Sequence, residues 1–234
     1  MPDFASRPVT TAWGKLTHVQ RRLIWLTTYT VAMAYLESAV VVYMRALYYP
    51  DGFSLPLVLL EPNIAVIEVG REVATLVMLL GVAALMSADR WEWFLVFCFS
   101  FGIWDIFYYI WLWVFLRWPP SLLTWDVLFL IPVPWIGPVL APVLVSGALV
   151  AGSLLLLRFK MQGIPIRFPA RLWTLAVLGG LLVLASFMLD FQIVLRQMEP
   201  PPFRWGLFIA GLTMSVVAAA FGISRLAFPL DRRA

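Results

Sequence analysis

The chain has 234 residues, 62% of them hydrophobic and only 13% charged, with a net charge of +4. A soluble domain carries about 25% charged and about 45–50% apolar residues, so this chain has too little polar material to cover a water-facing globule. What remains is an all-α class, a polytopic transmembrane helical bundle. The 12 Trp and 7 Tyr fit it, because these side chains gather at membrane interfaces.

Cys98 is the only cysteine and His18 the only histidine. An internal disulfide is therefore excluded, and haem or metals held by His or Cys are poor fits. The basic residues sit in short loops rather than in a patch or stripe, so no nucleic-acid partner is expected. The expected partner is the lipid bilayer.

The first 22 residues are polar or mixed. Within them 10–22 reads either as a short interfacial helix or as a flexible basic lead-in. No cleavable signal peptide is evident, and the first apolar run is expected to act as an uncleaved insertion signal. Six runs are long enough to span a hydrocarbon core of about 30 Å: 23–47, 64–87, 93–115, 138–158, 172–195 and 204–226. Short connections join them, so 1–234 reads as one transmembrane domain.

Lys and Arg set the orientation. Arg7, Lys15, Arg21, Arg22, Arg90, Arg158, Lys160, Arg167, Arg171, Arg225, Arg232 and Arg233 fall on one side, and only Arg117, Arg196 and Arg204 on the other. That split predicts both termini in the cytoplasm and a multi-pass protein of a bacterial cytoplasmic (inner) membrane.

Charges inside apolar runs are the informative residues, since each costs about 2.5–3.5 kcal/mol at the bilayer centre unless paired, hydrated or neutralised. The first run carries Glu37 and Arg45, the second Glu68, Arg71 and Glu72, and the third Asp105. At about 1.5 Å of rise per residue, Glu37, Glu72 and Asp105 fall at nearly one depth. Tyr109, four residues past Asp105, shares its helix face and is placed to donate to it. The expectation is an outward-facing cavity among the first three helices, with Glu37, Glu72 and Asp105 as candidate hard-cation ligands. Interhelical ion pairs, for instance between Arg71 and Glu37 or Glu72, are the structural alternative. Two acids are then left over.

The stretch 117–142 holds Pro119, Pro120, Pro132, Pro134, Pro138 and Pro142, which forbid a continuous helix. It reads as a re-entrant or interfacial segment before the fourth helix, with Asp126 reaching the cavity from above. A surface loop with Trp118, Trp125 and Trp135 in an interfacial belt is the other reading. The last two helices carry Gly179, Gly180, Ala210, Gly211, Ala218 and Gly222, small residues suited to close packing, as scaffold or as a docking face for a membrane-protein partner.

The segments YLESAVVVYMR (35–45), GRE (70–72), WDIFYY (104–109) and WPPSLLTWDVLFLIPVPWIGP (118–138) resemble a group of uncharacterised bacterial polytopic membrane proteins. The likeness covers the first two-thirds of the chain and implies membrane location without an activity. The chain lacks the buried lysine of a microbial rhodopsin, the histidines of intramembrane zinc hydrolases and the paired aspartate motifs of prenyl or CDP-alcohol transferases. The expected function is a site acting on or carrying a small cation or a lipid-like substrate. A non-catalytic subunit of a membrane complex, its buried charges serving as structural pairs, is the rival.

Overall fold

Helix α1 (His18–Tyr48) buries Leu26, Thr30, Met33, Ala34, Glu37, Ser38 and Arg45, a stripe with the three- and four-residue spacing of one helix face. The computed structural model describes residues 18–227 except 167, so most of the 10–22 lead-in lies outside the described residues. Five helical segments are long and apolar enough to cross a membrane: Gln20–Tyr48, Arg90–Leu116, Leu140–Met161, Ala170–Leu195 and Trp205–Leu226. These lie in α1, α3 (Arg90–Leu116), α4 (Leu140–Met161), α5 (Ala170–Met188) with the short α6 (Phe191–Leu195), and α7 (Trp205–Ala227). Helix α2 (Pro62–Leu85) has the length, but every stretch of 18 residues in it contains Glu68, Arg71 and Glu72. The six expected spans therefore divide into five apolar helices and one charged helix of similar length.

Helix α2 buries Glu72, Thr75, Leu79 and Ala83, one face that is polar toward its start and apolar toward its end. Its opposite face exposes Val66, Ile67, Val73 and Val77. Leu79 packs with Met33, Ala34 and Trp104, which ties α2 to α1 and α3.

The chain is not wholly helical. The Pro-rich stretch forms an antiparallel hairpin of β1 (Trp125–Phe129) and β2 (Trp135–Pro138), with Asp126 opposite Gly137 and an irregularity between Val127 and Phe129. Aromatic and β-branched residues favour strands, and prolines are tolerated at the ends and edges of so small a sheet. Rings of Phe187 and Phe203 come within 3.1 Å of where a Gly137 side chain would begin, so the hairpin lies flush on α5 and the segment before α7. Trp125 faces Phe203, with ring centroids 6.1 Å apart.

Helices α5 and α7 pack closely. A side chain at Gly179 would begin 2.6 Å from the Gly211 carbonyl oxygen, and one at Gly211 would begin 2.6 Å from that of Gly179. These small residues thus serve contacts within the chain. Asp190 and Arg196 do not pair; Asp190 accepts two bonds from Arg204, at 3.0 and 2.9 Å.

Asp89 caps α3, accepting from the Trp91 and Glu92 N–H groups at 3.0 Å each, and its carboxylate also meets the Lys160 ammonium. That ammonium, with the cap bonds, holds the Asp89 carboxyl below its ordinary value of 3.8. A carboxyl depressed on folding stabilises the protein above its unfolded pKa, and the gain vanishes as pH falls through the folded one. Asn also caps helices well, so Asp89→Asn should lower stability by about 0.2–1 kcal/mol at neutral pH through the exposed ion pair alone. Thermal melts of the two proteins should converge in acid below pH 3.8; a gap that stays constant with pH would refute the assignment.

Candidate functional site

Where α1 ends, α2 begins and β1 crosses, the structure leaves a cavity of about 160 Å³. Glu37, Arg45, Glu68, Arg71, Glu72, Asp105, Tyr109 and Asp126 all line it. Strand β1 supplies one wall and the loop after α1 another, through Phe53 and Leu57.

Arg71 is the hub of one cluster. Its Nε and Nη2 donate to the two Glu68 oxygens at 2.9 and 2.5 Å, and its Nη1 pairs with Glu37. Glu37 also accepts from the Thr75 hydroxyl. Two acids thus share one guanidinium. Glu68 and Arg71 lie three apart, on neighbouring positions of one helix face, while Glu37 comes from the buried stripe of α1.

Arg45 forms the second pair. Its Nη2 donates to Asp126 Oδ1 at 2.9 Å, both residues are buried, and the guanidinium sits in the corner made by the mutually perpendicular Phe53 and Trp118 rings, 4.3 and 3.7 Å from their centroids. Aromatic faces attract a cation placed over them. Arg45 Nη1 and Asp126 Oδ2 have no hydrogen-bond partner among the described residues, nor has Trp104 Nε1 at the cavity wall.

Glu72 and Asp105 differ from the rest. Both Glu72 oxygens accept from the Leu130 N–H of the hairpin, at 3.0 and 2.9 Å. Asp105 accepts from the Ser146 hydroxyl of α4 at 2.8 Å. Neither forms an ion pair among the described residues.

Two expectations change. Glu37, Glu72 and Asp105 share the cavity but do not converge as a ligand set: among the described residues no three acidic, His or Cys side chains are grouped to hold a metal ion. Each is drawn to its own donor, Arg71, Leu130 or Ser146. Tyr109 is not the donor to Asp105, whose carboxylate accepts from the Ser146 hydroxyl instead. Trp125, next to Asp126 in sequence, is absent from the lining because it turns to Phe203. The partners Thr75, Ser146, Phe53 and the Leu130 N–H escape sequence reasoning. Small hydroxyls in apolar runs look like packing residues, and a backbone donor has no sequence mark.

The fold and this cavity define a helical membrane protein with an acid-rich chamber at one end of its first three helices. No family model matches the chain, nor does any curated protein or solved structure.

Proposed function

We propose that the chain is a six-span protein of a bacterial cytoplasmic membrane whose outward-facing cavity binds a small cation, the proton included, as the site of a carrier. The observation that carries this reading is the charge balance. Five carboxylates (Glu37, Glu68, Glu72, Asp105, Asp126) share the cavity with two guanidiniums, Arg45 and Arg71, and Glu72 and Asp105 have only neutral donors. Acids at membrane depth without a counter-charge must take up a proton, water or another cation.

The topology follows the same physics. At about 1.5 Å per residue, the 24 residues of α2 extend about 36 Å, enough to span. Its charges turn into the cavity and its valines toward lipid. The lopsided distribution of Lys and Arg supports cytoplasmic termini, which leaves the hairpin at the outer interface. A volume of about 160 Å³ admits several waters or a small ion and disfavours an acyl-chain substrate. A purely structural role explains Arg45 and Arg71 but does not explain why Glu72 and Asp105, each bonded to a neutral donor that an amide oxygen would also satisfy, are acids.

The test is cation-driven flux in proteoliposomes, followed with an internal pH dye under an imposed inside-negative potential, together with melting temperatures across a panel of small cations. Glu72→Gln and Asp105→Asn each keep one accepting oxygen, for the Leu130 N–H and the Ser146 hydroxyl. Each should weaken cation binding about tenfold, the worth of one charge-assisted contact, with melting in cation-free buffer unchanged. Wild-type flux and binding in both variants would overturn the reading, as would a wild-type protein that neither passes nor binds any cation.

A further inference from the structure

A second and larger cleft, of about 440 Å³, lies between the α3–α4 pair and the α5–α7 pair. It shares no lining residue with the carboxylate cavity. Phe94, Cys98, Leu149, Gly152, Gly180 and Val216 represent its walls. Its hydroxyls are already used: Ser153 donates to the Leu149 carbonyl at 2.6 Å and Ser215 to the Gly211 carbonyl at 3.1 Å. A dry void of this size forfeits dispersion contacts on every wall, and in a bilayer the medium at hand to fill it is hydrocarbon.

Two glycines keep the cleft open. A side chain added at Gly152 or Gly180 would meet nothing within 4 Å, unlike one at Gly179 next door. Gly inside a helix costs about 0.5–1 kcal/mol relative to Ala. No close approach explains it at these two positions, both of which line the cleft.

Length and charge identify the occupant. Along α4 the lining runs from Val145 to Leu156, about 16 Å at the helical rise, which is close to half of a hydrocarbon core of about 30 Å. One end is closed by Trp91 stacked on Trp173, 5.4 Å between centroids, the interfacial position such rings favour. At that same end α4 finishes with Arg158, α5 begins with Arg171 and α7 finishes with Arg225. All three are exposed and none forms an ion pair among the described residues.

We propose that this cleft is a binding site for one acyl chain of an anionic phospholipid, the chain lying between α4 and α5 and the headgroup at the end of the bundle that Arg158, Arg171 and Arg225 make basic. The site is one leaflet deep and independent of the cation reading.

The test uses the full chain in nanodiscs containing phosphatidylglycerol with a diazirine on one acyl chain, and maps adducts by mass spectrometry. Adducts are expected in the peptides around Cys98 and Leu149, at a yield above the background set by a lipid-facing position such as Val177. Gly180→Leu should abolish them, and Gly152→Leu provides the same block on the opposite wall should the first variant fold poorly. The phosphatidylcholine analogue should label more weakly, and Arg171→Gln with Arg225→Gln should remove that difference. Labelling confined to outward faces, labelling unchanged by both glycine variants, or equal labelling by the two headgroups in the wild-type protein would overturn the assignment.

Discussion

Arg71→Met should be among the most damaging single substitutions in the protein, costing about 3–5 kcal/mol, the range for stripping one partner from a buried charge cluster. Arg71 donates twice to Glu68 and pairs with Glu37. Removing it leaves two carboxylates without their shared counter-charge and the Thr75 hydroxyl as the remaining polar contact from α2 to Glu37. Arg71→Lys should recover part of the loss, because an ammonium supplies the charge but not the planar fork that meets both Glu68 oxygens. The triple variant Arg71→Met, Glu37→Gln, Glu68→Gln should recover most of it, since no uncompensated charge remains. Unfolding in detergent, followed by the thermal midpoint and by SDS titration, reads out all three. An Arg71→Met protein as stable as wild type would mean that the cluster does not hold α2 to α1.

Much of this site was legible because hydrocarbon makes charge expensive. Glu37, Arg45, Glu68, Arg71, Glu72 and Asp105 stand out in apolar runs, and all of them line one cavity. Depth reckoning addresses height and says nothing of direction about the helix axis. Glu37, Glu72 and Asp105 come out level, yet rotation brings each to a different donor. Proline shows where a helix fails without showing which backbone edges pair in its place, so 117–142 reads as irregular although Trp125–Phe129 and Trp135–Pro138 form a ladder. Glycine carries the same ambiguity: Gly179 is held by contact and its neighbour Gly180 faces open space. Only the neighbouring chain segments, brought in from distant sequence, distinguish the two.

Asp126→Leu should cost a similar amount, about 3–5 kcal/mol, by leaving Arg45 buried without its counter-charge. Arg45 is 8% exposed and Asp126 3%, so water cannot replace the lost partner cheaply. Asp126→Asn should be milder, because its amide oxygen still accepts the bond from Nη2. Arg45→Met should lose the ion pair together with the cation–π contacts to Phe53 and Trp118, the latter worth about 0.5–2 kcal/mol. It should also free the hairpin from α1, since Asp126 lies on β1 and Arg45 in the last turn of α1. The informative comparison is the double variant Arg45→Met, Asp126→Leu. If the pair is held for stability alone, two apolar residues of similar bulk should equal or exceed the wild-type midpoint, as buried pairs often allow. If instead the pair tunes the cavity, that protein should melt normally and yet bind cations with altered affinity, because one carboxylate and one guanidinium have left the lining. A double variant that is both stable and unchanged in binding would assign Arg45 and Asp126 to packing and confine the cation site to Glu72, Asp105 and the Arg71 cluster.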